Sequence, residues 1–121
     1  MLSWATIGYG AALSAVLAAV LALALRERRR VVLLGVAIGA AGGPLAWNAI
    51  LRVTNANQFF VDAPIVVFPV SWQDTGSGVF AIAAIALILG LAALPTGSAR
   101  RATTLALLGG ISALLVDIYL Y

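Results

Sequence analysis

The chain has 121 residues, 64% of them apolar and only 9% charged, with a mean hydropathy of +1.12. A water-soluble domain is nearer half apolar and roughly a quarter charged, so too little polar surface is present to cover a globule in water, and the composition points to an integral membrane protein. All seven basic residues are Arg, the formal net charge is +3, and neither Cys nor His occurs, which removes disulfides, thiolate nucleophiles, the usual haem, copper and zinc ligands and the commonest general base.

Crossing a bilayer takes about 20 apolar residues in a helix, and four segments are long enough. The first predicted span covers residues 4–25. It carries small residues at four-residue spacing (Ala11, Ala15, Ala19, with Ala18 and Ala22 beside them). A cleaved signal peptide has its positive charge before the apolar run; here the run RERRR, Arg26 to Arg30, follows it, so the segment is expected to stay as a membrane helix. The RERRR run itself reads as an orientation signal that meets anionic lipid head groups.

The second predicted span, residues 31–51, holds Gly35 and Gly39 in GVAIG, then the stretch GGPLAWNAILR. Helices associate in lipid by close backbone approach, so the series Gly35, Ile38, Gly39, Gly42 is the strongest packing stripe of the chain. Pro44 lacks an amide hydrogen and frees the carbonyl four residues back, so a kink is expected there, with Gly42 and Gly43 letting the backbone follow. Asn48 and Arg52 follow Pro44 at helical spacing and lie on the same side.

Residues 52–75 read as one long loop. Its apolar run from Ala63 to Val70 is too short to span and contains Pro64 and Pro69, so it is expected to lie along the interface or to fold back as a lid. Phe59, Phe60, Phe68 and Trp72 suit an interfacial belt, as do Trp4, Tyr9, Trp47, Tyr119 and Tyr121. Thr75 or Ser77 is expected to cap the third span, predicted over residues 76–94. The fourth, residues 102–121, carries Ala106, Gly109, Gly110 and Ala113 as small packing residues and Asp117 as its acid.

Charge divides between the connections. Four Arg and one Glu give Arg26 to Arg30 a net +3, Arg100 and Arg101 give +2, and Arg52 with Asp62, Asp74 and Asp117 gives −2. Short Arg-rich loops stay cytoplasmic. The expected fold is therefore an all-α, up-down bundle of four transmembrane helices in a single domain, residues 1–121, with both termini and the Pro-containing loop outside. Heavy use of Ala, Leu, Gly and Arg without Lys points to a GC-rich bacterial genome, hence to a bacterial cytoplasmic membrane.

Asn48, Arg52, Asp62, Asp74 and Asp117 gather at the outer ends of the spans. They are expected to form either an ion-pair network, with Asp117 bonded to Arg52 or Asn48, or a polar pocket for a cation, a proton or a lipid head group. No phosphate loop, nucleophile motif, metal-ligand cluster or nucleotide fingerprint is present, so neither catalysis, a cofactor, a metal nor a nucleic-acid partner is expected. The expected role is a small accessory subunit that packs on a larger integral membrane protein, its outer loop shaping the exterior face. The alternative is a homo-oligomeric transporter or binder of a lipid head group or cation.

Overall fold

The computed structural model describes residues 3–27, 29–65, 67–93 and 99–120. Among them there is no strand. Helix α1 runs Trp4–Ala24, α2 Arg30–Thr54, α3 Trp72–Ile88 and α4 Ala99–Tyr119; a single 3-10 turn, Asn57–Phe60, follows α2, and a π turn, Leu89–Ala93, continues α3. All four helices are long and apolar enough to cross a membrane. Arg28, residues 94–98 and Tyr121, on which parts of the expected loops and span ends fall, lie outside the described residues.

The helix boundaries follow from local chemistry. Ser3 caps α1, its hydroxyl accepting from the amide of Thr6 at 3.2 Å. α1 stops where Arg26 adopts a left-handed backbone, φ 67°, and the amides of Arg26 and Glu27 turn back onto the carbonyls of Leu23 and Ala22. α2 ends in the same way: Asn55 is left-handed, φ 55°, and the amides of Asn55 and Ala56 bond to the carbonyls of Arg52 and Leu51. Both are Schellman closures, which satisfy the last carbonyls of a helix. α2 therefore passes the expected end at Leu51 by one turn.

α3 begins four residues before its expected start. Ser71, not Thr75 or Ser77, is the cap: the amide of Asp74 donates to the Ser71 hydroxyl at 3.2 Å, and the amide of Ser71 donates to the Asp74 carboxyl at 2.9 Å. This reciprocal box satisfies two amides that a helix start leaves open. It shortens the loop between α2 and α3 to residues 55–71.

α2 packs against α1, α3 and α4, and α4 packs against α1 and α3. Glycines set the closest approaches. Gly39 of α2 lies against the backbone of Ile85, where an added Cβ would stand 2.8 Å from the Ile85 nitrogen, and the tip of the same Ile85 side chain fills the space over Gly109 of α4. Ile82 likewise covers Gly110. Gly35 is buried in α2. The packing stripe nevertheless differs from GVAIGAAG as read along the sequence. Ile38 is exposed and Gly42 has open space around it, whereas at Gly43 a Cβ would stand 2.5 Å from the backbone of Phe80 and Ala81. The buried line is Val32, Gly35, Val36, Gly39, Ala40, Gly43 and Pro44, one position round from the expected one. α2 remains helical through Pro44.

The two ends of the bundle differ. Ala18, Ala22, Val32, Val36, Ala40, Ile85, Leu89, Leu105 and Ala106 form one apolar core. Near it Glu27, only 3% exposed, holds Arg101 of α4: the Arg101 Nε donates to its Oε2 at 2.8 Å, its Nη2 to the same oxygen, and the amide of Arg29 donates to its Oε1 at 3.0 Å. The opposite end is polar and is described below.

Adding one methyl group separates the two neighbouring glycines. Gly43→Ala forces α2 and α3 apart and is expected to lower unfolding stability in detergent by about 1–3 kcal/mol. Gly42→Ala meets no neighbour and gains helix propensity, so its stability is expected to stay level or rise by up to about 1 kcal/mol. Steric-trapping or denaturing-detergent titration reads both.

Candidate functional site

Five polar side chains from three helices are buried at the end opposite Glu27: Asn48 of α2, Gln73, Asp74 and Ser77 of α3 and Asp117 of α4, each no more than 4% exposed. Burial of such groups is tolerated only when they are hydrogen-bonded, and the geometry supplies the bonds. The Asn48 amide nitrogen donates to the carbonyl of Pro44, one turn back on its own helix, at 2.9 Å. That bond leaves the Asn48 oxygen for the neighbouring helix, where it accepts from Gln73 Nε2 at 3.0 Å. The same nitrogen donates to Asp117 Oδ2 at 2.9 Å. A primary amide carries two donor hydrogens on one nitrogen, so Gln73 serves an amide oxygen on α2 and a carboxyl oxygen on α4 together. A third neighbour, the Ser77 hydroxyl at 3.4 Å, is at the limit of a hydrogen bond.

The backbone of Gln73 is tied as well: its carbonyl accepts from the Trp47 indole N–H at 2.9 Å. Trp47 stacks at a tilt on Phe80 and Phe59, with centroids 5.0 Å and 5.9 Å away, and lies against Gly76. Its indole is thus part of the α2–α3 contact.

The residues expected to share a pocket are distributed as follows. Asp62, Asp74 and Asp117 line one cavity of about 160 Å³ together with Phe60, Ser71, Gln73 and Ile118. Asn48 lies one hydrogen bond behind it, through Gln73. Asp74 is bonded into the cap of α3 with Ser71, where a carboxylate also opposes the positive end of the helix dipole. Asp62 is exposed in the loop. Arg52 stands elsewhere on the rim, exposed, its guanidinium 5.1 Å from the ring centre of Trp4, a cation–π arrangement that ties the start of α1 to the end of α2. Among the described residues no group of three or more Asp, Glu, His or Cys side chains is placed to hold a metal ion.

Gln73 is the residue that sequence reasoning passed over. Two signals for it were present. Ser71 with Asp74 three positions on is a capping-box spacing, which starts α3 early enough to make Gln73 helical. From there Gln73, Ser77, Ala81 and Ile85 recur every fourth residue, and all four are buried.

Gln73→Leu removes the donor shared by Asn48 and Asp117 and is expected to cost about 1.5–3 kcal/mol. Asp117→Leu is expected to cost a similar amount. The double variant should cost less than the sum, by about 0.5–3 kcal/mol, because both partners of one bond are then gone. A double-mutant cycle on detergent-solubilised protein measures the coupling; strict additivity would show that the two side chains act separately.

Compared with known protein families, with proteins of curated function and with solved structures, the chain has no match.

Proposed function

We propose that the chain is a small multi-pass accessory subunit of a bacterial cytoplasmic membrane, docked on a larger integral membrane protein through the loop between α2 and α3. In this arrangement the helices run alternately up and down, the Arg-bearing connections face the cytoplasm, and both termini and the loop face outward; the charge difference between the two ends supports that orientation. The observation that carries the proposal is the loop itself. Its described residues are tied by hydrogen bonds: the amide of Ala63 donates to the carbonyl of Val70 at 2.7 Å, that of Phe68 to the carbonyl of Ile65 at 3.2 Å, and the Tyr119 hydroxyl of α4 to the carbonyl of Val67 at 2.5 Å. Yet Val61 is 71% exposed and Val67 78%. Ordered apolar side chains outside the long helices call for cover by another surface.

A photo-crosslinking amino acid at Val67, introduced in native membranes, is expected to give a discrete heavy adduct with one protein. The same probe at Leu34, exposed on α2, is expected to give lipid adducts. Adducts at Val67 with lipid alone, or with copies of the chain alone, remove the docking proposal.

A second function is supported by the cavity of about 160 Å³ that Asp62, Asp74 and Asp117 help to line: a homo-oligomeric transporter or binder of a lipid head group or cation. Asp62→Asn changes the cavity's charge without touching the Gln73 bonds. Cation uptake by proteoliposomes is expected to fall several-fold in this variant if the cavity is the site; unchanged uptake excludes it.

A further inference from the structure

We propose that the cleft between the end of α1 and the first turns of α4 binds the phosphate of an anionic phospholipid, with Arg100 as its principal ligand. The cleft has a volume of about 370 Å³ and is lined by Leu25, Arg100, Arg101, Thr104 and Leu105, room for a phosphate with its glycerol. It lies at the other end of the helices from the loop proposed to dock a partner, and stands independently of that function.

Charge makes the first part of the case. Residues 26–30 and 100–101 contain six Arg and one acid, Glu27. Both carboxylate oxygens of Glu27 are engaged, Oε2 by Arg101 and Oε1 by the amide of Arg29. The three other acids of the sequence, Asp62, Asp74 and Asp117, line one cavity at the opposite end. Arg100 pairs with no carboxylate among the described residues. It also sits in the first turn of α4, where the helix dipole disfavours a cation and favours an anion. An anion in the cleft would reverse the sign of that local interaction and meet a guanidinium fork suited to phosphate oxygens.

The shape of the lining selects a lipid over a soluble anion. Leu105 is buried at 1% and Leu25 is half-exposed at 50%, and the Thr104 hydroxyl donates to the carbonyl of Arg100 at 2.8 Å. The walls below the guanidinium groups are thus mostly hydrocarbon. A free phosphate would use only the arginine side of the cleft, whereas a phospholipid would use both, with its phosphate on Arg100 and its upper acyl chain along Leu25 and Leu105. Basic pockets between membrane helices bind head groups in this manner.

The absence of Cys from the sequence allows one label at a chosen site. The full chain carrying a fluorophore at Ala24→Cys, exposed beside the cleft and outside its lining, or at Leu34→Cys on α2, is reconstituted in phosphatidylcholine vesicles. Nitroxide-tailed phosphatidylglycerol or nitroxide-tailed phosphatidylcholine is then added as quencher. Phosphatidylglycerol is expected to quench the label at position 24 in preference to phosphatidylcholine, and the label at 34 without preference. Arg100→Gln is expected to reduce the preference roughly tenfold, the effect of one hydrogen-bonded charge, while Arg30→Gln leaves most of it. Equal preference at the two label positions, which is read on chains with every arginine in place, overturns the proposal. So does an equal loss in both arginine variants, which would mean that charge matters and the cleft does not. Displacement by millimolar glycerol 3-phosphate would assign the cleft to a soluble phosphate and overturn the lipid.

Discussion

Three helices converge on the side-chain amide of Gln73. Its two hydrogens reach an amide oxygen on α2 and a carboxyl oxygen on α4, and its own carbonyl holds Trp47. For helices surrounded by lipid, burying an apolar side chain gains little, because the lipid tails are as apolar as the neighbouring helix; register and partner choice then rest on close backbone contact and on polar bonds. Gln73 supplies the polar part. The capping box of Ser71 and Asp74 is what brings it into the first turn of α3, so a local turn motif sets up a contact across the whole bundle.

Close contact supplies the rest. Ile85 fits between Gly39 of α2 and Gly109 of α4, and Gly43 lies against the backbone of Phe80 and Ala81. These contacts continue the line from the polar end towards the apolar core around Val32, Val36, Leu89 and Leu105. The outward faces of the helices are apolar too, with Val16, Val20, Leu34, Ile38 and Leu87 all exposed. This explains why amphipathic periodicity says little here: the faces turned inward differ from the others in size of side chain more than in polarity.

The two ends of the bundle differ in their chemistry. Where Asp62, Asp74 and Asp117 line one cavity, Asp74 is bonded to Ser71 and Asp117 to Gln73, and the adjoining loop leaves Val61 and Val67 exposed. Where the arginines gather, Glu27 holds Arg101, and Arg26, Arg29, Arg30 and Arg100 are exposed.

Length, composition and charge distribution determined four apolar helices, their approximate limits, and the separation of arginines from aspartates, because hydrocarbon crossing and charge placement are properties of segments taken singly. The glycines at 39, 109 and 110 were legible as small residues, and Asn48 and Asp117 as polar groups in costly surroundings. Tertiary structure alone decided which groups meet. Gly43, not Gly42, is the contact, since a rotation of one residue about the helix axis turns a glycine from lipid to neighbour and nothing in an apolar sequence marks the difference. Asn48 and Asp117 are joined by Gln73 because hydrogen bonds of about 3 Å select partners by position in space, and that position depended on where a cap started α3 and how near its glycines let the helices come.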